Sequence, residues 1–292
     1  MTTDASDRLK ALLGTAAASR ALPSAQQPTA PRLNSETFTQ PQQGNTRIFY
    51  VADVTYSMAP YVQAMQRVIE SVGQKTLDAQ KGIEATVLGI NEHERQGYTP
   101  RIIREKISSA KLHQNFLQYF DWTADPSKIR SQVAQLVLEN QPNGDTAEPY
   151  ECTAKYVVDH ITQDKIKNPN RNYGVVFFGD AMPHGITKFD DRGCVHGVKA
   201  DELETLIQVA NRVYWVDCDS QGTGEFKQFT YDPLSKRETS IYLKFKDAQS
   251  ILEDALVGMV KQTVSPATYN DFLATLSGTQ AQQVRRLLGN GK

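Results

Sequence analysis

Short apolar runs alternate with stretches of helical periodicity along most of the chain. Arg47-Ile48-Phe49-Tyr50-Val51-Ala52 is an aromatic-rich run of strand type. Met58, Tyr61, Met65, Val68, Ile69 and Val72 follow it at helical spacing. The alternation then repeats. Ile83 to Ile90 and Phe116 to Trp122 read as strands, Pro126 to Glu139 and Glu151 to Thr162 as helices. Asp125 is the expected cap of the first of these helices, ahead of a proline at the first helical position. Tyr173 to Phe178 is almost continuously apolar, as a strand buried on both faces must be. A helix over Ala200 to Ala210, strands over Arg212 to Val216 and Ile241 to Phe245, and a helix over Ala248 to Lys261 complete the pattern. The order predicts an α/β fold: a doubly wound, mostly parallel central sheet of about six strands, with helices on both faces and one edge strand free to run antiparallel.

The flanks are different. Residues 1–20 predict a short N-terminal helix. Residues 21–45 contain Pro23, Pro28, Pro31 and Pro41 and no apolar period, which predicts a flexible linker. Residues 46–264 form the predicted domain, and 265–292 a C-terminal helical tail punctuated by Gly278. The apolar run at Ala11 to Ala18 is too short for an export signal, and Asp4 and Asp7 interrupt its basic flank. No run approaches the length of a membrane span.

Hydrophobic residues at 39% and charged residues at 22% are ordinary for a globular chain of 292 residues. A net charge of -1 argues against a nucleic-acid binder, because counterion release needs a basic surface. Cys152, Cys194 and Cys218 are odd in number and widely spaced, matching neither a disulfide framework nor a zinc-ligand spacing. Cytoplasmic localisation is therefore expected.

In a doubly wound sheet, ligands sit beyond the carboxyl ends of the strands. Asp53-Val54-Thr55-Tyr56-Ser57 follows the first strand, and Gly179-Asp180-Ala181-Met182-Pro183-His184-Gly185 follows the central one. Asn143-Gly144-Asp145-Thr146-Ala147-Glu148 lies just before a helix. All three loops are rich in hard oxygen donors. A magnesium-like ion takes about six such ligands and usually keeps several waters.

Asp53-x-Thr55-x-Ser57 after an apolar strand resembles the first motif of the metal-ion-dependent adhesion site of von Willebrand factor type A domains. Alone, such a match arises in roughly one chain in five of this size. Gly144-Asp145-Thr146-Ala147-Glu148 resembles the Gly-Asp-x-Pro-Glu loop of intracellular members, with Ala147 in place of the proline and Pro149 after the glutamate. Gly179 to Gly185 resembles their later Ala-Asp-Ala-Pro-Pro-His-Gly motif. The three occur in the expected order over residues 46–264. The resemblance implies a Rossmann-like sheet and a metal site of Asp53, Thr55, Ser57, Asp145, Thr146, Glu148 and Asp180. Thr55 and Ser57 would give hydroxyl oxygens, Asp53 would orient them, and either Glu148 or Thr146 would serve from the second loop. It further implies Mg2+ (or Mn2+ or Ca2+), no catalysis, and a protein partner that docks an acidic side chain on the cation, as in a cytoplasmic scaffold or adaptor of the kind found in prokaryotes and their viruses.

Plainer readings exist for the same residues. Asp145 and Glu148 could form a helix capping box, Asp53 a helix cap, and Asp180 a turn before Pro183. His184 and His196 read as loop histidines, and Arg285 and Arg286 as a solvated helix end. A different function class comes from Asp217-Cys218-Asp219 after a strand, which resembles the nucleophile loop of magnesium-dependent haloacid dehalogenase-type phosphatases. That motif normally opens its fold, and here too few residues follow it to supply the remaining strands.

Overall fold

The computed structural model describes residues 46–77, 82–93, 111–113, 116–139, 147–186, 194–219, 222, 224–235, 237–246 and 251–289. The expected terminal helix and linker, residues 1–45, lie outside the described residues. The strands are β1 (Thr46–Asp53), β2 (Ile83–Ile90), β3 (Lys111–His113), β4 (Leu117–Tyr119), β5 (Ala147–Glu148), β6 (Asn172–Gly179), β7 (Met182–Pro183), β8 (Arg212–Asp217) and β9 (Ser240–Lys244). The α-helices are α1 (Ala59–Thr76), α2 (Pro126–Ala134), α3 (Tyr150–Lys167), α4 (Glu202–Val209), α5 (Leu252–Val264), α6 (Pro266–Thr275) and α7 (Gly278–Leu287).

Seven strands form one sheet in the order β3-β4-β2-β1-β6-β8-β9, and β5 and β7 form a separate parallel ladder. The run β2-β1-β6-β8-β9 is parallel throughout. β4 lies antiparallel to β2, and β3 antiparallel to β4. The fold is the expected α/β sheet, with one strand more than the pattern predicts. β3 is only three residues long, too short to leave a period in the sequence.

Side chains alternate across each strand and build two cores. Ile48, Tyr50 and Ala52 pack on one face with residues of α1, α2 and α5. Phe49 and Val51 pack on the other with α3 and α4. The C-terminal helices join the first core through Tyr269, Leu273, Ala281, Val284 and Leu288. Gly258 of α5 makes the close approach possible, since a Cβ there would lie 3.1 Å from Leu288 Cδ1 and 3.2 Å from Val284 Cγ1. Ser277 and Gln280 close a reciprocal capping box at the start of α7.

One helix ends early. The apolar pattern predicts a helix to Glu139, but α2 stops at Ala134. Asp125 caps it as expected, accepting from Ser127 N at 2.9 Å. Beyond it, buried polar side chains hold the backbone out of helical form. Gln118 bonds both the N–H and the C=O of Val137, each at 3.0 Å, and Asn91 bonds the same carbonyl at 3.2 Å. Glu139 N then donates to Val54 O at 2.9 Å, which carries the Glu139 carboxylate to the end of the sheet.

The register sets the rim. Asp53 faces Ile90, Ala52 faces Phe178, and Gly179 faces Asp217. The chain passes from β1 to β2 on one side and reaches β6 on the other, so β1 and β6 bound the topological switch point, where ligand clefts of doubly wound sheets form. Because Leu273 is 3% exposed and shares the core of β1, Leu273→Ala is expected to lower stability by about 2–5 kcal/mol. Urea unfolding should show this in one transition; an unchanged midpoint would mean that the C-terminal helices fold apart from the sheet.

Candidate metal centre

Asp53 ends β1 and is fully buried. Its Oδ1 accepts from Thr55 N at 2.9 Å and from Thr55 Oγ1 at 2.6 Å. Thr55 Oγ1 lies 3.3 Å from Ser57 Oγ, which donates to Asp180 Oδ1 at 3.1 Å. A short 3-10 turn, Tyr56–Met58, with Met58 buried, brings Ser57 back toward Thr55. The expected motif from β1 and the expected aspartate after β6 thus meet in one chain of contacts.

Tyr150 ties these loops together. Its hydroxyl donates to Asp53 Oδ2 at 2.5 Å and accepts from Asp180 N at 3.2 Å and Ala181 N at 3.3 Å. Gly179 gives the ring its place, since a Cβ there would stand 2.9 Å from Tyr150 Cζ and 2.7 Å from Phe226 Cε2. No sequence pattern marks Tyr150 for this role; it reads as one more apolar residue at the start of a helix.

Glu148 lies on β5, where it pairs with Pro183 of β7. It is buried, and among the described residues its Oε2 has no hydrogen-bond partner. The capping-box reading does not hold for it. Pro149 occupies the N-cap of α3 without a side-chain cap, and Glu148 precedes the helix on a strand. Nor does Asp53 cap a helix: the N-cap positions of the 3-10 turn and of α1 are Thr55 and Met58. Asp145 and Thr146 lie outside the described residues.

The electrostatics follow from crowding carboxylates away from water. Burial raises the Asp53 pKa, against the hydrogen bonds from Thr55 and Tyr150 that lower it. Burial, then the charge of Asp53, push Asp180 up to about 8. Glu148 is raised well above the usual carboxylate range by burial and by the charges of Asp53, Glu92, Glu139 and Asp180. Among the described residues, no lysine or arginine pairs with Asp53, Glu148 or Asp180. Two hydroxyls and several carboxylates with one orphaned buried oxygen fit a hard divalent cation, which would satisfy Glu148 and offset the repulsion.

Asp217 ends β8 and takes part in different contacts. Its carboxylate accepts from the Tyr242 hydroxyl and, at 2.8 Å, from Asp219 N. Asp219 in turn accepts from Gly222 N at 2.7 Å and Gly224 N at 2.8 Å, closing the loop that leaves the strand.

The histidines and cysteines depart from the sequence reading. His184 lies in a turn, as a loop histidine should, but it is buried, and its backbone N and Nδ1 both meet Glu151, each at 3.1 Å. Burial alone would raise the Glu151 pKa, but the hydrogen bonds from His184 and His93 outweigh it and bring it to about 2. Cys152 and Cys194, far apart in sequence, stand with Sγ atoms 3.0 Å apart, beside His93 and His196. Only Cys194-x-His196 could have hinted at this from the sequence.

Replacing the orphaned carboxylate by its neutral isostere should relieve repulsion. In chelator at pH 8, Glu148→Gln is expected to melt higher than wild type, by about 2–4 °C for each kcal/mol relieved. It should also lose most of the further gain that Mg2+ gives the wild-type chain. Scanning fluorimetry checks both; a lower melting point in chelator would show that Glu148 has a partner holding it charged.

No protein-family model matches the chain, and no curated protein matches its sequence. Among solved structures it is similar to the pilus adhesin SpaC from Lactobacillus rhamnosus GG in its open conformation, at 10% identity and a TM-score of 0.48, over 75% of this chain and 30% of that one. A second crystal form of SpaC gives 11% identity and a TM-score of 0.48, over 76% and 31% of the two chains. It is also similar to the manganese-loaded TRAP protein of Plasmodium vivax, at 13% identity and a TM-score of 0.42, over 77% of this chain and 75% of that one. The chain thus spans under a third of the length of SpaC. These likenesses concern the fold alone.

Proposed function

We propose that the chain is a protein-binding module whose contact with its partner depends on a divalent cation, in the manner of von Willebrand factor type A domains. Asp53, Thr55, Ser57 and Asp180 would hold Mg2+ (or Mn2+ or Ca2+), with Glu148, or in the alternative alignment Thr146, serving from the second loop beside Asp145. When bound, the cation supplies a Lewis-acidic position that a partner's carboxylate completes. The observation that carries this reading is the run of contacts from Asp53 through Thr55 and Ser57 to Asp180, together with a buried Glu148 oxygen that has no hydrogen-bond partner among the described residues and feels the charges of Asp53 and Asp180. Tyr56, between the two hydroxyl residues, is 49% exposed and offers a partner an aromatic surface next to the acidic centre.

The module is read as a binder rather than a catalyst. The competing phosphatase reading would use Asp217 and Asp219. Their carboxylates instead accept from Tyr242 and from loop backbone amides, which favours a structural role at the end of β8. As to its setting, no described helix is long and apolar enough to cross a membrane. We place the module in the cytoplasm, as a scaffold or adaptor.

The experiment is capture of binding proteins from a native lysate in Mg2+ or in chelator, alongside melting curves in both. Wild type is expected to retain a partner only with Mg2+, and to gain thermal stability as Mg2+ rises above its dissociation constant. Ser57→Ala should lose both responses while keeping its chelator melting point within about 0.5 kcal/mol equivalent. Asp217→Asn should keep both. Loss of the Mg2+ response in Asp217→Asn but not in Ser57→Ala would overturn the assignment in favour of the phosphatase.

A further inference from the structure

A second group of donors, chemically unlike the first, gathers beside the carboxylate rim. Cys152 Sγ lies 3.6 Å from His93 Nε2 and 3.6 Å from His196 Nδ1, and Cys194 Sγ lies 3.6 Å from His93 Nε2. The four ligand atoms all lie within 4.8 Å of one another. They come from three separate parts of the fold: His93 from just beyond β2, Cys152 from the first turn of α3, and Cys194 and His196 from a turn before α4.

We infer that His93, Cys152, Cys194 and His196 form a structural zinc site. Zn–S bonds of about 2.3 Å and Zn–N bonds of about 2.0–2.1 Å at tetrahedral angles place sulfur and nitrogen about 3.5–3.6 Å apart. Three sulfur–nitrogen distances here are 3.6 Å. The same geometry puts two sulfurs about 3.8 Å apart, so the 3.0 Å between Cys152 and Cys194 opens slightly around the ion. Two thiolates and two imidazoles with no oxygen donor among them select zinc over the hard cations suited to Asp53 and Ser57. Four protein ligands leave no open position, which makes the site structural rather than catalytic.

The local backbone is shaped for this. Gly197 N donates to Cys194 O at 2.9 Å, with Gly197 at φ +69°, so the chain reverses and presents Cys194 and His196 together. The His196 amide donates to Cys194 Sγ at 3.4 Å, as backbone amides do toward metal-bound thiolates. His93 is fully buried, with Glu151 Oε1 3.7 Å from its Nε2. His196 is exposed, which leaves a path by which the ion enters.

The test uses the full chain purified with reductant. Zinc content by plasma mass spectrometry should approach about one ion per chain. Cobalt(II) added to metal-free protein should give the visible bands of a tetrahedral thiolate centre. His196→Ala and Cys194→Ser lie at the less buried side and are the variants least prone to misfolding. Each should weaken zinc binding at least about tenfold in competition with a chromogenic chelator. Ser57→Ala should bind zinc as wild type does, which separates this site from the magnesium-type one. Three results would overturn the inference. The first is a Cys152–Cys194 disulfide found by mass spectrometry in the freshly purified chain. The second is a zinc-free chain that takes up no cobalt. The third is cobalt binding without thiolate bands that is lost in His184→Ala, which would place the ion among His93, Glu151 and His184 instead.

Discussion

A sheet rim that buries several carboxylates together, with no lysine or arginine among the described residues paired to Asp53, Glu148 or Asp180, is the constraint around which this molecule is arranged. An ionised carboxylate taken out of water costs several kcal/mol even after the protein relaxes. Asp53 meets that cost through three hydrogen bonds from Thr55 and Tyr150. Asp180 has the Ser57 hydroxyl. Glu148 has an oxygen with no donor among the described residues. A fold selected only for stability would not retain such an arrangement. The crowded carboxylates sit at the switch point between β1 and β6, the place where doubly wound sheets bind ligands.

The same economy of placement runs through the start of α3. Tyr150 holds the Asp53 and Asp180 loops, Glu151 bonds the buried His184, and Cys152 faces Cys194, His93 and His196. Three consecutive residues on one helical turn therefore organise three different chemical environments. Tyr150 meets hard oxygen donors, Cys152 meets sulfur and nitrogen donors, and Glu151 meets His184 and His93, the second of which also borders the sulfurs. The separation matters because a divalent ion chooses between sites by donor type more than by overall affinity.

The oxygen-rich rim was legible in the sequence because its residues sit in short loops directly after apolar strands, in an order that periodicity exposes. Asp53, Thr55 and Ser57 fall within five consecutive positions, and Asp180 follows an almost continuously apolar strand. The sulfur–nitrogen cluster was not legible. Its ligands come from just beyond β2, from α3 and from a turn before α4, so no local spacing records them. Tyr150 and Glu139 were missed for a related reason. Their roles arise from where tertiary contacts send the chain, as when Gln118 and Asn91 seize the backbone of Val137 and end α2 ahead of its apolar pattern. β3 escaped notice because three residues make no period.

The phase of α3 has a consequence for how this chain can vary. Successive helical residues are turned about 100° from one another, so Tyr150, Glu151 and Cys152 serve their three neighbourhoods only in one rotational setting. Insertion or deletion of a single residue between Glu148 and Tyr150 would swing all three side chains together and misalign every loop they hold. A change of length in this stretch would therefore disturb all three sets of contacts at once, whereas a single substitution disturbs one. Across divergent copies of the gene, the interval from Glu148 to Cys152 should be constant even where the residues within it are not.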